Sequence, residues 1–242
     1  MDKKHLEELV KVENTYWWHI AKRAIVLEVL RRYFPSPGRL IEGGIGAGGN
    51  LKMFQEIGYE VTGFDILPEA VNYCRNQGIA NVYLHDLQQP WPVEPNLAKV
   101  VVLLDVIEHA LDPIQVLSNA AKAVDQKGGL IVTVPAYPML KGPWDEMLGH
   151  YRRYTSRLFK DHANEASLRV AWLSHWNAFS LPAAFIIRLA EKMFNYRRTA
   201  EFPPVSPIMN NLLLRFADVE RLFIQKKPLP VGLSLIGVLV HE

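Results

Sequence analysis

The sequence lacks several features that define whole classes of protein. Its single cysteine, Cys74, excludes an internal disulfide framework and leaves no CxxC pair for zinc or redox chemistry. Basic residues number 27 and acidic residues 25, so the net charge of +2 gives no strong positive field of the kind that nucleic-acid-binding proteins carry. We therefore expect a small or neutral partner, no nucleic acid and a reducing compartment.

Long apolar runs are also missing. The N-terminal stretch MDKKHLEELVKVENTYWW is charged and does not resemble a secretory signal, which predicts a cytoplasmic protein. The segment LPAAFIIRLAEKMF is interrupted by Arg188 and Glu191 before it reaches the roughly 18 apolar residues of a spanning helix. Residues 179–194 are interpreted either as an amphipathic lid on a membrane or lipid-like substrate, or as a helix packed on the core. Any membrane contact would be peripheral.

Short apolar runs alternate with helical segments along the chain. The runs are LIEGG, VTGFD, NVYLHD, VVVLLDVIEH and GGLIVTVP. This alternation is typical of a parallel sheet covered by helices on both faces. A helical pattern over residues 22–34 precedes the first run, and a helix at 209–224 with an apolar strand at 233–240 ends the chain. With 49% hydrophobic residues, the 242-residue chain is predicted to form one α/β domain.

Three glycines, Gly44, Gly46 and Gly48, lie where the first apolar strand passes into a helix. Because they have no side chains, they let a nucleotide-like ligand approach the backbone and the helix N-terminus. Asp65 follows the second strand at the spacing where an acidic side chain accepts hydrogen bonds from ribose hydroxyls. These features suit NAD and S-adenosylmethionine alike. The alternative is a ligand-free turn, with Asp65 as a helix cap.

The segments together resemble the class I S-adenosylmethionine-dependent methyltransferases, particularly the group with small-molecule and quinone-pathway enzymes. The resemblance runs in family order through LIEGGIGAGG, VTGFDILPEAV, VYLHDLQQPWP, VVVLLDVIEHALDP and KGGLIVTVP, and covers roughly residues 16–135. It implies a Rossmann-like, doubly wound, mostly parallel seven-stranded sheet with helices on both faces and an antiparallel C-terminal strand. It also implies S-adenosyl-L-methionine as the cofactor.

The resemblance implies roles for single residues. Glu42 would lie beneath the methionine amino group, Asp65 would hold the ribose, and Asp86 with Leu87 would meet the adenine. The full set implied to contact the cofactor is Glu42, Gly44, Gly46, Gly48, Asp65, Ile66, Asp86, Leu87, Asp105 and Arg23.

Two positions depart from the family pattern. The family more often has Asp at the position of Glu42, and a small residue or Cys at the position of Ile45. Glutamate keeps the charge, and Ile45 narrows the loop without removing a glycine. Arg23 is implied to reach the cofactor carboxylate, and its alternative is a surface helix charge.

Catalytic candidates follow the fourth strand. Methyl transfer from a sulfonium depends mainly on alignment, but a hydroxyl nucleophile would need a group to take its proton. Glu108 and His109, in VIEHALDP, are placed for this by analogy, and Tyr151 is the third candidate. Alternatively, Glu108 and His109 shape the turn before a helix that starts at Asp112 and Pro113.

An aromatic and basic loop, with HYRRYT at residues 150–155, follows the fifth strand. Its rings and arginines are suited to bind a ring, a carboxylate or a phosphate of the acceptor. Similar signatures occur in methyltransferases of cell-envelope and polysaccharide pathways, which suggests a glycan-linked, lipid-linked or acidic acceptor. The alternative is a solvated arginine pair with packed tyrosines. The substrate-binding candidates are Trp18, His150, Arg152 and Arg153.

The sequence thus predicts a methyltransferase acting on an O, N or C nucleophile of a small-molecule, glycan-linked or lipid-linked acceptor. Residues 1–37 would form a helical lid, 38–135 the cofactor-binding core, and 136–242 the acceptor side, with a helical insertion at about 179–207. No metal is predicted, because the other histidines show no ligand spacing. The rivals are a nicotinamide-dependent oxidoreductase and a non-catalytic methyltransferase-like module, and the chain would be a monomer or homodimer.

Overall fold

A computed structural model describes residues 3–194 and 204–242. Within them the chain forms one seven-stranded sheet flanked by nine α-helices. The strands are β1 (Arg39–Gly43), β2 (Glu60–Asp65), β3 (Val82–Leu84), β4 (Ala98–Leu104), β5 (Val124–Pro135), β6 (Leu168–Trp176) and β7 (Ser234–His241). The helices are α1 (Lys3–Val12), α2 (Trp17–Tyr33), α3 (Gly49–Glu56), α4 (Pro68–Asn76), α5 (Pro113–Ala123), α6 (Pro143–Met147), α7 (Ser156–Glu165), α8 (Leu181–Phe194) and α9 (Pro207–Lys226).

The strand order is β3-β2-β1-β4-β5-β7-β6. Strands β1 to β5 pair in parallel, whereas β7 lies antiparallel between β5 and β6. The predicted mostly parallel seven-stranded sheet with an antiparallel C-terminal strand is confirmed. The order reverses between β1 and β4, and in open α/β sheets the crevice at the carboxyl ends of such strands is where ligands bind.

Both faces of the sheet are buried, which explains the continuous apolar runs. Successive strand residues point to opposite faces, so neighbours in the sequence enter different cores. Leu40 packs with the side that α2 and α3 cover, whereas the next residue, Ile41, packs with the side that α5 and α7 cover. In β4, Val102 and Leu103 divide in the same way and both are fully buried.

Helix starts follow local capping signals. The side chains of Asp112, Thr155 and Ser206 accept hydrogen bonds from backbone N–H groups of the first turns of α5, α7 and α9. Helix α2, however, begins at Trp17, earlier than the predicted start at residue 22. Its first turn is aromatic, and Trp17 contacts the ring of Phe179 at a centroid distance of 5.7 Å. Tertiary packing therefore extends a helix that periodicity alone does not reveal.

The insertion predicted at about 179–207 contains α8, and residues 195–203 of it lie outside the described residues. Within the described ranges, no helix combines the length and apolarity that crossing a membrane requires. Helix α9 is longer at both ends than the predicted 209–224, because Pro207 starts it and its last turn continues to Lys226.

We expect Leu130→Ala to lower the free energy of unfolding by about 3 kcal/mol, because Leu130 is fully buried in β5 and truncation leaves a cavity. Leu111 is 70% exposed, so Leu111→Ala should change it by no more than about 0.5 kcal/mol. Urea denaturation of both variants measures this. Equal effects would contradict the described core.

Candidate functional site at the carboxyl edge of the sheet

The glycine loop joins β1 to α3 and has the geometry that only glycine adopts easily. Gly44, Gly46 and Gly48 have φ values of 75°, 53° and 83°. A Cβ atom on Gly44 would lie 2.6 Å from Val106 Cγ2, and one on Gly48 would lie 2.7 Å from the sulfur of the buried Cys74. The loop therefore needs glycines both for its backbone conformation and for its packing against Cys74.

Asp65 ends β2 and ties the glycine loop to the sheet. Its Oδ2 accepts a hydrogen bond from the Gly46 N–H at 3.0 Å, and its Oδ1 accepts one from the Leu67 N–H at 2.9 Å. Burial raises the pKa of this carboxyl group, although these N–H donors partly offset the rise. A carboxylate has about four acceptor positions, so Asp65 keeps acceptor capacity for a ligand hydroxyl. Asp65 can therefore cap the turn before α4 and also accept a hydrogen bond from a ligand.

Glu42, in β1, is fully buried beneath the loop. Its Oε1 accepts a hydrogen bond from Asn50 Nδ2 at 2.8 Å, but its Oε2 has no hydrogen-bond partner among the described residues. Burial raises the pKa of Glu42 to about 8. A buried acceptor without a donor is costly, so this oxygen favours a donor or a cation from a ligand.

Arg23 lies against the loop and is not a surface charge. Its guanidinium donates to the backbone carbonyl of Glu13, and the Glu13 Oε2 accepts a hydrogen bond from the Gly49 N–H at 3.3 Å. Burial lowers the pKa of Arg23, while the charges of Glu13 and Glu42 oppose that change. Glu13 was not predicted as a site residue, because in the sequence it is one of many charged residues in and after α1.

Asp105 follows β4, as predicted, and forms an ion pair that the sequence did not reveal. Its Oδ2 lies 2.9 Å from Lys22 Nζ, and Oδ1 accepts a hydrogen bond from Thr133 Oγ1 at 3.1 Å. The side chains of Lys22 and Asp105 are only 10% and 19% exposed. The same ammonium lies 4.3 Å from the ring centroid of Trp18, which in turn packs on Trp176. Trp18 thus belongs to the wall beside Asp105.

The predicted adenine-binding residues, Asp86 and Leu87, follow β3, and Ile66, also predicted to contact the cofactor, follows β2. Asp86 accepts a hydrogen bond from the Gln88 N–H at 3.0 Å and is partly exposed. The Leu87 side chain contacts the loop, since a Cβ on Gly43 would lie 2.9 Å from its Cδ1. Ile66 is 64% exposed, which is unusual for a large apolar side chain next to a buried strand. Ile66 directly follows Asp65 at the end of β2, and Asp86 and Leu87 follow β3, the strand next to β2.

A second group of side chains, the Glu108–His109–His150 cluster, lies beyond β4. One potential metal-binding atom from each side chain, a ring nitrogen or a carboxylate oxygen, lies within 4.8 Å of the other two. The rings of His109 and His150 meet edge to face at a centroid distance of 4.6 Å. Burial, with a smaller contribution from the neighbouring His150, lowers the pKa of His109 to about 3, so its imidazole is neutral at pH 7.

Asp145, on α6, holds the aromatic and basic loop together and was not among the predicted site residues. It is fully buried, and its carboxylate contacts His150 Nδ1 at 2.9 Å, Arg153 Nε at 2.6 Å and Arg188 Nη2 at 3.5 Å. Burial raises its pKa, but the hydrogen bond with His150 and the charge of Arg153 outweigh that effect and hold the pKa at about 2. Arg153 therefore acts inside the protein, on Asp145.

The other members of HYRRYT point in different directions. The Tyr151 side chain is 55% exposed, while its backbone N–H donates to the Glu108 carbonyl at 2.9 Å. Arg152 donates to the Leu111 carbonyl at 3.0 Å and lies 5.9 Å from the Tyr151 ring centroid. Tyr154 is fully buried. The loop thus connects to the segment after β4 through its backbone and Arg152, and only part of it faces outward.

Known proteins share this fold. A family profile described as "Methyltransferase domain" matches residues 17–181, more than half of the chain. The chain therefore belongs to the methyltransferase-domain family, within the class I S-adenosylmethionine-dependent methyltransferases. No curated protein sequence matches it.

Three solved structures illustrate the likeness. The first, from the complex between the Haloferax volcanii Trm112 methyltransferase activator and a protein described as a methyltransferase, has a TM-score of 0.63 and 19% identity over 96% of this chain and 92% of that one. A protein described as a sarcosine dimethylglycine methyltransferase from Galdieria sulphuraria has a TM-score of 0.60 and 16% identity over 91% and 85%. A geranyl diphosphate methyltransferase in complex with SAM has a TM-score of 0.59 and 11% identity over 91% of this chain and 85% of that one.

The raised pKa of Glu42 predicts a pH-dependent stability. The folded-state value of about 8 exceeds the ordinary 4.5, so the ligand-free protein should lose up to about 1.4 kcal/mol of unfolding free energy per pH unit as pH rises between these values. The pKa of this carboxyl group is also lowered by Asn50 and Lys22 and raised by Glu13 and Asp65. Glu42→Gln should remove this contribution. Urea denaturation at pH 6 and pH 8.5 measures it, and equal pH dependence in both proteins would contradict the assignment.

Proposed function

We propose that the protein transfers the methyl group of S-adenosyl-L-methionine to an oxygen, nitrogen or carbon nucleophile. The observation that carries the proposal is the fully buried Glu42, whose Oε2 has no described partner, directly beneath a glycine loop at the switch point of the sheet. The cofactor brings an ammonium group that supplies the missing donor. Bound there, it provides a methyl group already activated by the sulfonium.

Charge at the carboxyl edge favours this cofactor over a nicotinamide dinucleotide. Three acidic residues lie at the carboxyl ends of neighbouring strands: Glu42 near the end of β1, Asp65 at the end of β2 and Asp105 after β4. Asp65 further raises the pKa of Glu42, and the sulfonium and ammonium of S-adenosylmethionine would lower that pKa and stabilise the charged carboxylate. A dinucleotide would instead bring an anionic pyrophosphate toward a buried carboxyl group.

The residues present fit the cofactor as follows. Glu42 would accept a hydrogen bond from the ammonium group, and Arg23, which now contacts Glu13, would pair with the carboxylate of the methionine part. Asp65 keeps acceptor capacity for the ribose hydroxyls. The adenine is assigned to the partly exposed group Ile66, Asp86 and Leu87. Helices α1 and α2 act as the lid over this end of the sheet.

We assign the acceptor to the Glu108–His109–His150 cluster, beyond Asp105, and to Trp18, which lies beside Lys22. His109 is neutral, so its imidazole nitrogen can accept a hydrogen bond from a nucleophile and orient it. Its pKa of about 3 makes it a weak base, so this role is orientation more than proton removal. Tyr151 and Arg152 form the outer wall for a small-molecule, glycan-linked or lipid-linked acceptor.

Calorimetric titration with S-adenosylhomocysteine and, separately, with NADH tests the proposal. We expect saturable one-to-one binding of S-adenosylhomocysteine and no saturable binding of NADH. The reverse result, binding of NADH without S-adenosylhomocysteine, would replace methyl transfer with the oxidoreductase alternative.

Asp65→Asn should weaken S-adenosylhomocysteine binding by about tenfold or more, because the ribose loses a charged acceptor. Asp161→Asn is the matched control, since Asp161 lies on α7 and pairs with the exposed Arg157 at 3.8 Å. Thermal unfolding of the ligand-free variants shows whether the loop is intact. An unchanged affinity in a stable Asp65→Asn protein would remove Asp65 from the cofactor site.

A further inference from the structure

The Glu108–His109–His150 cluster brings together side chains from two distant parts of the chain. Glu108 and His109 follow β4, whereas His150 belongs to the loop after α6. The two parts are joined where the Tyr151 N–H donates to the Glu108 carbonyl at 2.9 Å. The ligand-type atoms of the three side chains converge within 4.8 Å of one another. This convergence is a property of the fold that spacing along the sequence does not show.

Each histidine ring is held in place by a partner outside the cluster. Asp145 Oδ1 contacts His150 Nδ1 at 2.9 Å, which leaves Nε2 of that ring to face outward from Asp145. The backbone of Gly149 hydrogen-bonds the His109 ring. Metal-binding histidines characteristically donate their second nitrogen to a carboxylate or a backbone carbonyl in this way, which fixes the ring and its tautomer.

Glu108 is an independent indication of a ligand. It is fully buried, and neither carboxylate oxygen has a hydrogen-bond partner on another described residue. Asp105 adds a second negative charge nearby, whereas Lys22 and Arg153 act on Glu108 only from a distance as charges. A buried carboxylate is stable when it is paired or coordinates a metal.

We propose that the Glu108–His109–His150 cluster binds one divalent first-row transition metal ion, of which Zn²⁺ is the best match. Two imidazoles and one carboxylate form a ligand set that suits Zn²⁺ and its neighbours, whereas Mg²⁺ and Ca²⁺ prefer oxygen ligands throughout. Three protein ligands leave a coordination position open for an acceptor oxygen. This proposal revises the sequence-based prediction of no metal.

The metal deepens the role assigned to the acceptor side, and in that role it rests on the proposed function. An acceptor hydroxyl that binds the ion would lose its proton more easily than a free hydroxyl. With the metal bound, His109 would hold the ion, and the ion in place of the His109 ring would contact the acceptor oxygen. Binding of the metal itself requires no cofactor.

The test uses the full chain after treatment with a chelator. Zn²⁺ affinity is measured by competition with a chromophoric chelator, and Co²⁺ is added separately so that its visible absorption reports nitrogen and oxygen ligands. We expect one Zn²⁺ per chain. His150→Gln and Glu108→Gln should each weaken binding by about tenfold or more. His241→Gln should leave Zn²⁺ affinity unchanged, because His241 lies beside the start of β5, opposite the carboxyl edge, where its ring contacts the Val124 carbonyl.

Two results would overturn the proposal: no Zn²⁺ binding above that of the chelator buffer, or binding that both His150→Gln and Glu108→Gln retain in full. Circular dichroism and thermal unfolding identify a variant that fails to fold. If His150→Gln fails to fold, Glu108→Gln, which keeps the side-chain shape, carries the test. The cofactor proposal is tested separately by S-adenosylhomocysteine. A chain that binds Zn²⁺ but not S-adenosylhomocysteine would therefore contradict the proposed function and support the metal site.

Discussion

The ion pair between Lys22 and Asp105 joins α2 to the carboxyl end of β4, at the centre of the sheet. Removing two charges from water is costly, and a pair as buried as this one is stable only with close geometry and further hydrogen bonds. Both conditions are met, by the 2.9 Å contact and by the Thr133 hydroxyl. Because the pair fixes α2 against the end of β4, it also determines where Trp18 and Arg23 lie.

This arrangement gives the carboxyl edge two halves of different chemistry. On one side of the pair, Glu42 and Asp65 present buried carboxyl groups to the glycine loop, and burial raises the pKa of both. On the other side, the Glu108–His109–His150 cluster is organised by Asp145. The first half suits a cationic cofactor and the second suits an acceptor or a metal. A reaction between the two would occur beside Asp105.

Local sequence predicted the features that local physics determines. The succession of apolar runs, the glycine loop and the position of Asp65 after β2 follow from patterns within about 20 residues of one another. A parallel sheet covered by helices was predicted from that succession, whereas the seven strands and the antiparallel last strand were implied by the family resemblance. The early start of α2 at Trp17 was missed because its first turn is stabilised by Phe179, which lies far away in the sequence.

Contacts between distant segments account for the rest of what was missed. Glu13 faces the start of α3, and Asp145, besides its neighbours His150 and Arg153, contacts Arg188 of α8, which lies 43 residues away in the sequence. The prediction of no metal rested on the spacing of the other histidines, and nothing in the sequence indicates that His109 and His150, which come from separate loops, lie together. Arg153 illustrates the limit well, since an arginine in HYRRYT suggests an exposed anion contact and instead neutralises a buried aspartate.

The central claim is that the buried acidic residues beneath and beside the glycine loop form a binding site for S-adenosylmethionine. A crystal structure of the chain with S-adenosylhomocysteine tests it most directly. The account predicts that the amino group of the bound molecule lies within hydrogen-bond distance of Glu42 Oε2, and that its ribose hydroxyls lie within hydrogen-bond distance of Asp65. A molecule bound at another part of the surface, with Glu42 Oε2 still without a donor, would contradict it.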